Sequence, residues 1–156
     1  MKKTKFIVRA AIIAAIYAGL TILFSGFAYG PVQFRISEAL TILPVFTTAA
    51  IPGLTVGCII ANLVGGFGLT DIVFGSLASL IGALGTWLLR RQTVLAPLPP
   101  VIANALIIGP MLYFVMPESP ALLLNVATVG IGELVICMGL GIPLILLLKK
   151  YPKLFD

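Results

Sequence analysis

The chain is a succession of long apolar segments separated by short breaks that contain glycine, proline or charged residues. The first segment runs from Ala10 to Tyr29, and at roughly 20 residues it is long enough to cross a bilayer as a helix. Three later segments, at about 70–89, 97–115 and 121–148, are also apolar and of similar or greater length. This pattern predicts four membrane-spanning helices.

The region between Ser37 and Gly68 is harder to interpret, because Pro52-Gly53 divides it into two apolar halves. Each half makes roughly 20 Å of helix, short of the ~30 Å hydrocarbon core, so the region is one broken span or a hairpin of two short helices. A single span would place Arg90 and Arg91 across the membrane from the basic N-terminus, whereas a hairpin places all basic clusters on one side. We therefore predict two short helices joined at Pro52-Gly53, and six helices in all.

Composition supports a membrane protein. The chain is 60% hydrophobic and only 10% charged, which leaves too few polar side chains to cover a soluble globule. The net charge of +5 does not indicate a nucleic-acid-binding protein, because every basic residue except Arg35 lies at the border of an apolar run. The prediction is an all-α bundle with a single transmembrane domain over residues 1–156. It is multi-pass in the cell membrane, with both termini cytoplasmic and the loops at 29–36, 66–70 and 116–120 outside.

Several kinds of chemistry are missing from the sequence. There is no histidine, the commonest general base and metal ligand, and there is no G-x-x-x-x-G-K-[ST] phosphate loop. Cys58 and Cys137 each lie inside an apolar segment, which is typical of small buried hydrophobes rather than of a disulfide or a metal site. We therefore predict no enzyme, no metal and no cofactor, and any uphill transport must be driven by a partner or an ion gradient.

A few polar residues remain within or just outside the predicted spans. Such groups are costly in a membrane, and they persist where they face a partner, a cavity or a ligand. Glu133 is the hardest to explain as structural, because it lies well inside its predicted helix, far from either end, with no basic residue nearby in sequence. The candidate substrate-binding residues from this group are Gln33, Arg35, Glu38, Asn62, Asp71, Asn104 and Glu133.

Each of these residues also has a structural interpretation, which the sequence leaves open. Arg35 and Glu38 are three residues apart and could pair with each other. Ser37 could cap the second helix, and the Thr-Asp pair at 70–71 could cap the fourth. The two asparagines could form hydrogen bonds between helices.

The first helix carries small residues at a spacing of four, so one side of its N-terminal half is flat. Flat faces let another helix approach closely, and this face is a candidate surface for a partner subunit, with packing inside the same bundle as the alternative. One row consists of Ala10, Ala14 and Ala18, and the next of Ala11, Ala15 and Gly19.

Four strings along the chain resemble the QueT family, whose members are substrate-binding S-components of energy-coupling factor (ECF) transporters for precursors of the tRNA base queuosine. These strings are VQFRISEALTILP at 32–44, DIVFGSLASLIGALGTWLLRR at 71–91, LPPVIANALIIGP at 98–110 and GIGELVIC at 130–137. The resemblance implies a six-helix S-component fold with a site near the outer face, gated by the loop after helix 1. It also implies that the small face of helix 1 contacts a transmembrane coupling subunit, with two ATPase subunits driving transport.

The ligand class that the resemblance implies is a 7-deazaguanine such as preQ0, preQ1 or queuine. One carboxylate can accept the N1–H and the exocyclic amine of such a base together, and an aromatic ring can stack on its face. Two alternatives remain, an S-component for another vitamin-like molecule and a self-contained carrier in which Asp71 and Glu133 relay protons. The candidate carboxylates for reading the base are Glu133, Glu38 and Asp71, and the candidate rings are Phe34, Phe67 and Tyr29.

Overall fold

The computed structural model describes residues 2–28, 35–66, 68–115 and 121–155, and these ranges are almost wholly helical, without a strand. This confirms the predicted all-α class. In chain order the elements are α1 (Lys2–Leu23), α2 (Ser25–Ala28), the 3₁₀ helix η1 (Ile36–Val45), α3 (Ala50–Gly65), α4 (Leu69–Leu88), α5 (Leu98–Val115), α6 (Leu122–Gly139), α7 (Gly141–Leu148) and the 3₁₀ helix η2 (Pro152–Phe155).

Four stretches of helix are long and apolar enough to cross a membrane, namely α1, α4, α5 and the consecutive pair α6 and α7. The helices η1 and α3 are apolar but shorter. Large apolar side chains such as Leu69, Phe114 and Leu123 are exposed on the outside of the bundle. Because a bilayer and not water suits such a surface, the fold agrees with the predicted membrane bundle of four long and two short helices.

The first helix is displaced from its predicted position. It begins at Lys2 and ends at Leu23, whereas the apolar run predicted a helix from Ala10 to Tyr29. Lysine and arginine are good helix formers, and their long stems can lie along apolar surface, so the basic N-terminal residues form the first turns of α1. Residues 29–34 of the predicted outer loop at 29–36, and the whole predicted loop at 116–120, lie outside the described residues.

The predicted hairpin of two short helices is present, but the joint at Pro52-Gly53 was wrong. The turn occupies residues 46–49, and Pro52 and Gly53 lie inside the first turns of α3. Proline is tolerated there because the first N–H groups of a helix have no intrahelical partner. Gly53 lies against α1, where a Cβ atom would come within 2.8 Å of the Ala10 carbonyl oxygen.

The last predicted helix is interrupted at Leu140, which separates α6 from α7. Pro143 lies just inside α7 and has no N–H to donate to the carbonyl of Gly139, four residues earlier. The break therefore has a local cause, and α6 and α7 together still cover the span predicted at 121–148.

The 3₁₀ helix η1 lies at the centre of the bundle, in contact with α1, α3, α4, α6 and α7. The long helices pack against their neighbours in sequence, and glycines allow the close approaches. A Cβ at Gly57 would lie 2.9 Å from the Ala14 carbonyl oxygen, and a Cβ at Gly82 would lie 2.8 Å from the Cα of Pro100. Residues on η1 consequently face the interior from several sides.

The basic clusters gather at one end of the bundle. The Nη1 atom of Arg9 donates to the carbonyl oxygen of Phe155 at 2.8 Å, which joins the N-terminal half of α1 to the C-terminal segment. The Nζ atom of Lys149 donates to Oγ1 of Thr93 at 2.6 Å, which joins the end of α7 to the loop between α4 and α5. The positive-inside rule then predicts that this end is cytoplasmic.

Cysteine labelling from outside the cell tests this orientation. A cysteine at Leu69, an exposed residue at the opposite end of α4, should react with a membrane-impermeant maleimide, and a cysteine at the exposed Gln92 should not. Cys58 and Cys137 are both buried, so the unmodified chain is the background control. Reaction at position 92 without reaction at position 69 would invert the topology.

Candidate functional site

Six of the predicted site residues lie in the described part of the chain, and all six are buried, with exposures between 0 and 5%. Arg35 directly precedes η1, and the others lie on η1, α3, α4, α5 and α6, so the fold brings residues from distant parts of the chain together. The remaining three predicted residues, Gln33, Phe34 and Phe67, and the candidate ring of Tyr29, lie outside the described ranges. We name the buried six, together with Tyr17 introduced below, the polar cluster: Tyr17, Arg35, Glu38, Asn62, Asp71, Asn104 and Glu133.

Arg35 pairs across the bundle. Its Nη2 atom lies 3.7 Å from Oδ1 of Asp71, which occupies the first turn of α4. The charge of Arg35 also acts on Glu38, three residues along the chain, whose side chain accepts a hydrogen bond from Tyr17. Asp71 also lies where the positive end of the α4 dipole favours a carboxylate. The pair therefore ties the start of η1 to the start of α4.

Asn62 joins α3 to α4. Its Nδ2 atom donates to the backbone oxygen of Asp71 at 2.9 Å and also lies 3.5 Å from the sulfur of Cys58. Gly75 on α4 makes room for this amide, because a Cβ atom there would collide with Nδ2. The interpretation of Asn62 as forming a hydrogen bond between helices is confirmed. This bond holds Asp71 next to Asn62 in the interior of the bundle.

Glu38 is bound by a residue that was not among the predicted site residues. The hydroxyl group of Tyr17, in the middle of α1, donates to Oε1 of Glu38, and Tyr17 is fully buried. One turn further along α1, Thr21 and Ser37 share a hydrogen bond of 2.6 Å between their hydroxyl oxygens. Ser37 therefore links η1 to α1, while η1 has no side-chain cap. The sequence does contain a pattern that could have indicated this contact, because Tyr17 and Thr21 are four residues apart and place two hydroxyl groups on one face of α1.

Glu133 lies on α6 between a thiol and an amide. The sulfur of Cys137, one turn further along, lies 3.5 Å from Oε2 of Glu133 and 3.7 Å from the backbone oxygen of Glu38. The side chain of Asn104 on α5 lies beside the Glu133 carboxyl group. Glu133 is therefore held at the meeting point of η1, α5 and α6.

The charges of the polar cluster act on one another. The Arg35 guanidinium attracts the carboxyl groups of Glu38, Asp71 and Glu133, and the carboxyl groups of Glu38 and Glu133 repel each other. Charges interact strongly with one another in a medium of low dielectric constant such as the interior of this bundle. The three acids and the guanidinium therefore form one electrostatic unit.

Four buried polar atoms of the cluster have no hydrogen-bond partner among the described residues. Three are acceptors, Glu38 Oε2, Asn62 Oδ1 and Asp71 Oδ2, and one is a donor, Asn104 Nδ2. An unsatisfied buried group costs about 1–3 kcal/mol, so native proteins rarely leave one without a ligand or water to bind. A small molecule with several donors and one acceptor on its edge would satisfy them together. No group of His, Cys, Asp and Glu in the described ranges is arranged to hold a metal ion.

A cavity of about 350 Å³ lies at the other end of the bundle, between α1, η1, α7 and the C-terminal segment. Its lining is almost entirely apolar, with Ile13, Leu43 and Leu148 among the lining residues, and it contains no member of the polar cluster. Specific sites need a few placed polar groups to orient a ligand. The polar cluster is therefore the better candidate site.

The two small-residue rows of α1 have different environments. Ala14 and Ala18 are buried and Ala10 is half-buried, because this row packs against α3. Ala11 and Ala15 are exposed. Packing within the bundle thus accounts for the first row, and the second row is the part of the predicted partner surface that remains accessible.

Comparison with known proteins adds two matches. A family model described as QueT transporter matches residues 7–150. A relative from Lactococcus lactis subsp. cremoris (strain MG1363), described as "Queuosine precursor transporter QueT", is 41% identical over 96 residues. That alignment covers 58% of this chain and 56% of the relative, so the chain spans little more than half of the relative's length. No solved structure matches.

Proposed function

The chain belongs to the QueT transporter family. We propose that it is a multi-pass membrane protein and not an enzyme, and that it is the substrate-binding subunit of an ECF-type transporter. The substrate we propose is a queuosine precursor, a 7-deazaguanine. The relative's name supports this ligand class, and the polar cluster supports it independently through its chemistry.

The observation that carries the proposal is the set of unsatisfied atoms in the polar cluster. The edge of a 7-deazaguanine presents a carbonyl oxygen, an N1–H and an exocyclic amine in a row, as guanine does. In our proposal the Glu133 carboxylate accepts the two N–H groups, and the neighbouring Asn104 amide donates its unused N–H to the carbonyl. Asp71 and Asn62 offer further acceptors for the other donors of the heterocycle. Charge-assisted bidentate contacts of this type are both strong and specific.

The sequence contains no phosphate loop, and in our proposal other subunits supply the energy for uptake. We propose that a transmembrane coupling subunit docks on the exposed row of α1 that contains Ala11 and Ala15, and that two ATPase subunits drive the complex. Small residues let a partner helix approach closely in a bilayer, where there is no hydrophobic force between helices. The exposure of this row, beside a row that is already packed, supports the assignment.

The direct test is to purify the protein in detergent, denature it and identify the released small molecule by mass spectrometry. We expect a 7-deazaguanine at close to one molecule per chain. Release of a different vitamin-like compound would retain the subunit role and overturn the ligand. Uptake by the purified protein alone in vesicles, driven by a proton gradient, would instead support the proton-coupled carrier.

A further inference from the structure

The charges of the polar cluster do not balance. Three of the chain's five acidic residues lie in the cluster, namely Glu38, Asp71 and Glu133, but only one of its ten basic residues does. The other nine basic residues lie at positions 2–9, 90–91 and 149–153, in the clusters at the opposite end of the bundle. If all four ionisable groups are charged, the cluster carries an excess of two negative charges.

The excess falls on one pair of residues. Arg35 lies 3.7 Å from Asp71 and its single charge also acts on Glu38 and Glu133. Glu38 and Glu133 are therefore left without a full countercharge, and their carboxyl groups repel each other. The other titratable groups that face them are Tyr17, Cys58 and Cys137. A phenol or a thiol has no cationic form, so neither can neutralise the pair. Two like charges buried side by side are costly until a proton or a cation joins them.

Geometry at Glu38 also points to a ligand. One of its oxygens accepts from Tyr17, and the other, Oε2, is buried and has no hydrogen-bond partner in the ranges that the structure describes. The residue is 1% exposed, so water cannot readily reach that oxygen. Glu133 differs, because Cys137 and Asn104 already flank its carboxyl group.

We infer that the polar cluster selects ligands that carry a protonated amine, with Glu38 binding the ammonium group while Glu133 reads the edge of the heterocycle. This inference rests on the proposed function and narrows its ligand class. A 7-aminomethyl substituent is an alkyl amine, which is positively charged at neutral pH as lysine is, and it supplies the missing cation. A 7-cyano substituent is neutral and leaves the carboxyl pair as it was.

The test compares 7-aminomethyl-7-deazaguanine with 7-cyano-7-deazaguanine, which share the heterocycle and differ in the charge of the substituent. Calorimetry on the purified native protein should give an affinity roughly ten- to a hundredfold higher for the aminomethyl compound, the usual gain from a hydrogen bond to a charged group.

A variant tests whether Glu38 causes the preference for the aminomethyl compound. The substitution Glu38→Gln keeps the shape and removes the charge, so it should weaken binding of the aminomethyl compound and reduce the preference to about threefold or less. Glu118→Gln, the same change in the predicted 116–120 loop, is the matched control and should keep the native preference. If Glu38→Gln does not fold, the affinities of the two compounds for the native protein still test whether the site prefers a ligand with an ammonium group.

The outcomes separate the inference from the proposed function. Equal affinity for the two compounds, or tighter binding of the cyano compound, would overturn the inference and leave the 7-deazaguanine ligand class in place. A native protein that binds neither compound would overturn both. A preference that survives unchanged in a folded Glu38→Gln protein would show that Glu38 does not bind the ammonium group.

Discussion

Replacing Glu133 by glutamine is expected to weaken binding of a 7-deazaguanine to the purified protein by roughly a hundredfold or more. The substitution keeps the shape of the side chain but turns one acceptor into a donor. That donor would face the N1–H or the exocyclic amine of the ligand. One hydrogen bond is then lost, and the new amide N–H and the ligand N–H repel each other because both are donors. Glu133 is 3% exposed, and water cannot compensate for the lost contact.

The fold should survive this change, because it removes a buried charge and opens no cavity. Calorimetry is the suitable measurement, since the single tryptophan, Trp87, lies beside Arg90 at the basic end of the bundle, away from the polar cluster. The matched control is Cys137→Ser, which keeps a donor one turn from Glu133 and should retain most of the affinity. Tight binding by a folded Glu133→Gln protein would assign the recognition role to Glu38 or Asp71.

The long helices of this fold are predictable from sequence because their signal is local. A run of apolar residues long enough to cross a bilayer has few alternatives. The turn between η1 and α3 is different, because proline suits both a turn and the first turn of a helix. Pro52 takes the second role, and only the packing of Gly53 against α1 distinguishes the two.

The membership of the polar cluster was largely predictable for a similar reason. Polar groups in a membrane bundle turn inward, so residues as distant in sequence as Arg35 and Glu133 were expected to share an interior. Their partners were not predictable, because the pairing of Arg35 with Asp71 depends on how η1 and α4 pack. Tyr17 was overlooked because tyrosine is amphipathic and common at membrane interfaces, so its type alone does not indicate a buried hydrogen bond.

For the small residues of α1, too, the sequence does not show which contacts they make in the folded bundle. A spacing of four places Ala10, Ala14 and Ala18 in one row and Ala11 and Ala15 in the next, and both rows are equally flat in sequence. The structure distinguishes them, because Gly53 and Gly57 of α3 lie against the first row alone. Which of two adjacent flat faces is free is a property of the bundle and not of the helix.

Replacing Ala15 by tryptophan should lower the initial rate of uptake at least about tenfold. Ligand binding to the isolated protein should stay close to native. Ala15 is exposed, so an indole there meets only lipid in the isolated protein and obstructs a helix that must approach closely in the complex. Uptake is measured in cells that contain the complete transporter, and binding is measured by calorimetry.

Two further tryptophan variants make this result interpretable. Ala14→Trp should lose binding and uptake together, because the Ala14 side chain is 5% exposed and α1 lies against Gly57 of α3 at this level. Leu63→Trp adds an indole to an exposed position of α3 that has no small-residue row and should affect neither. If Ala15→Trp leaves uptake intact, the coupling subunit docks elsewhere. If it removes binding as Ala14→Trp does, the second row is also internal packing, and α1 offers a partner no flat surface.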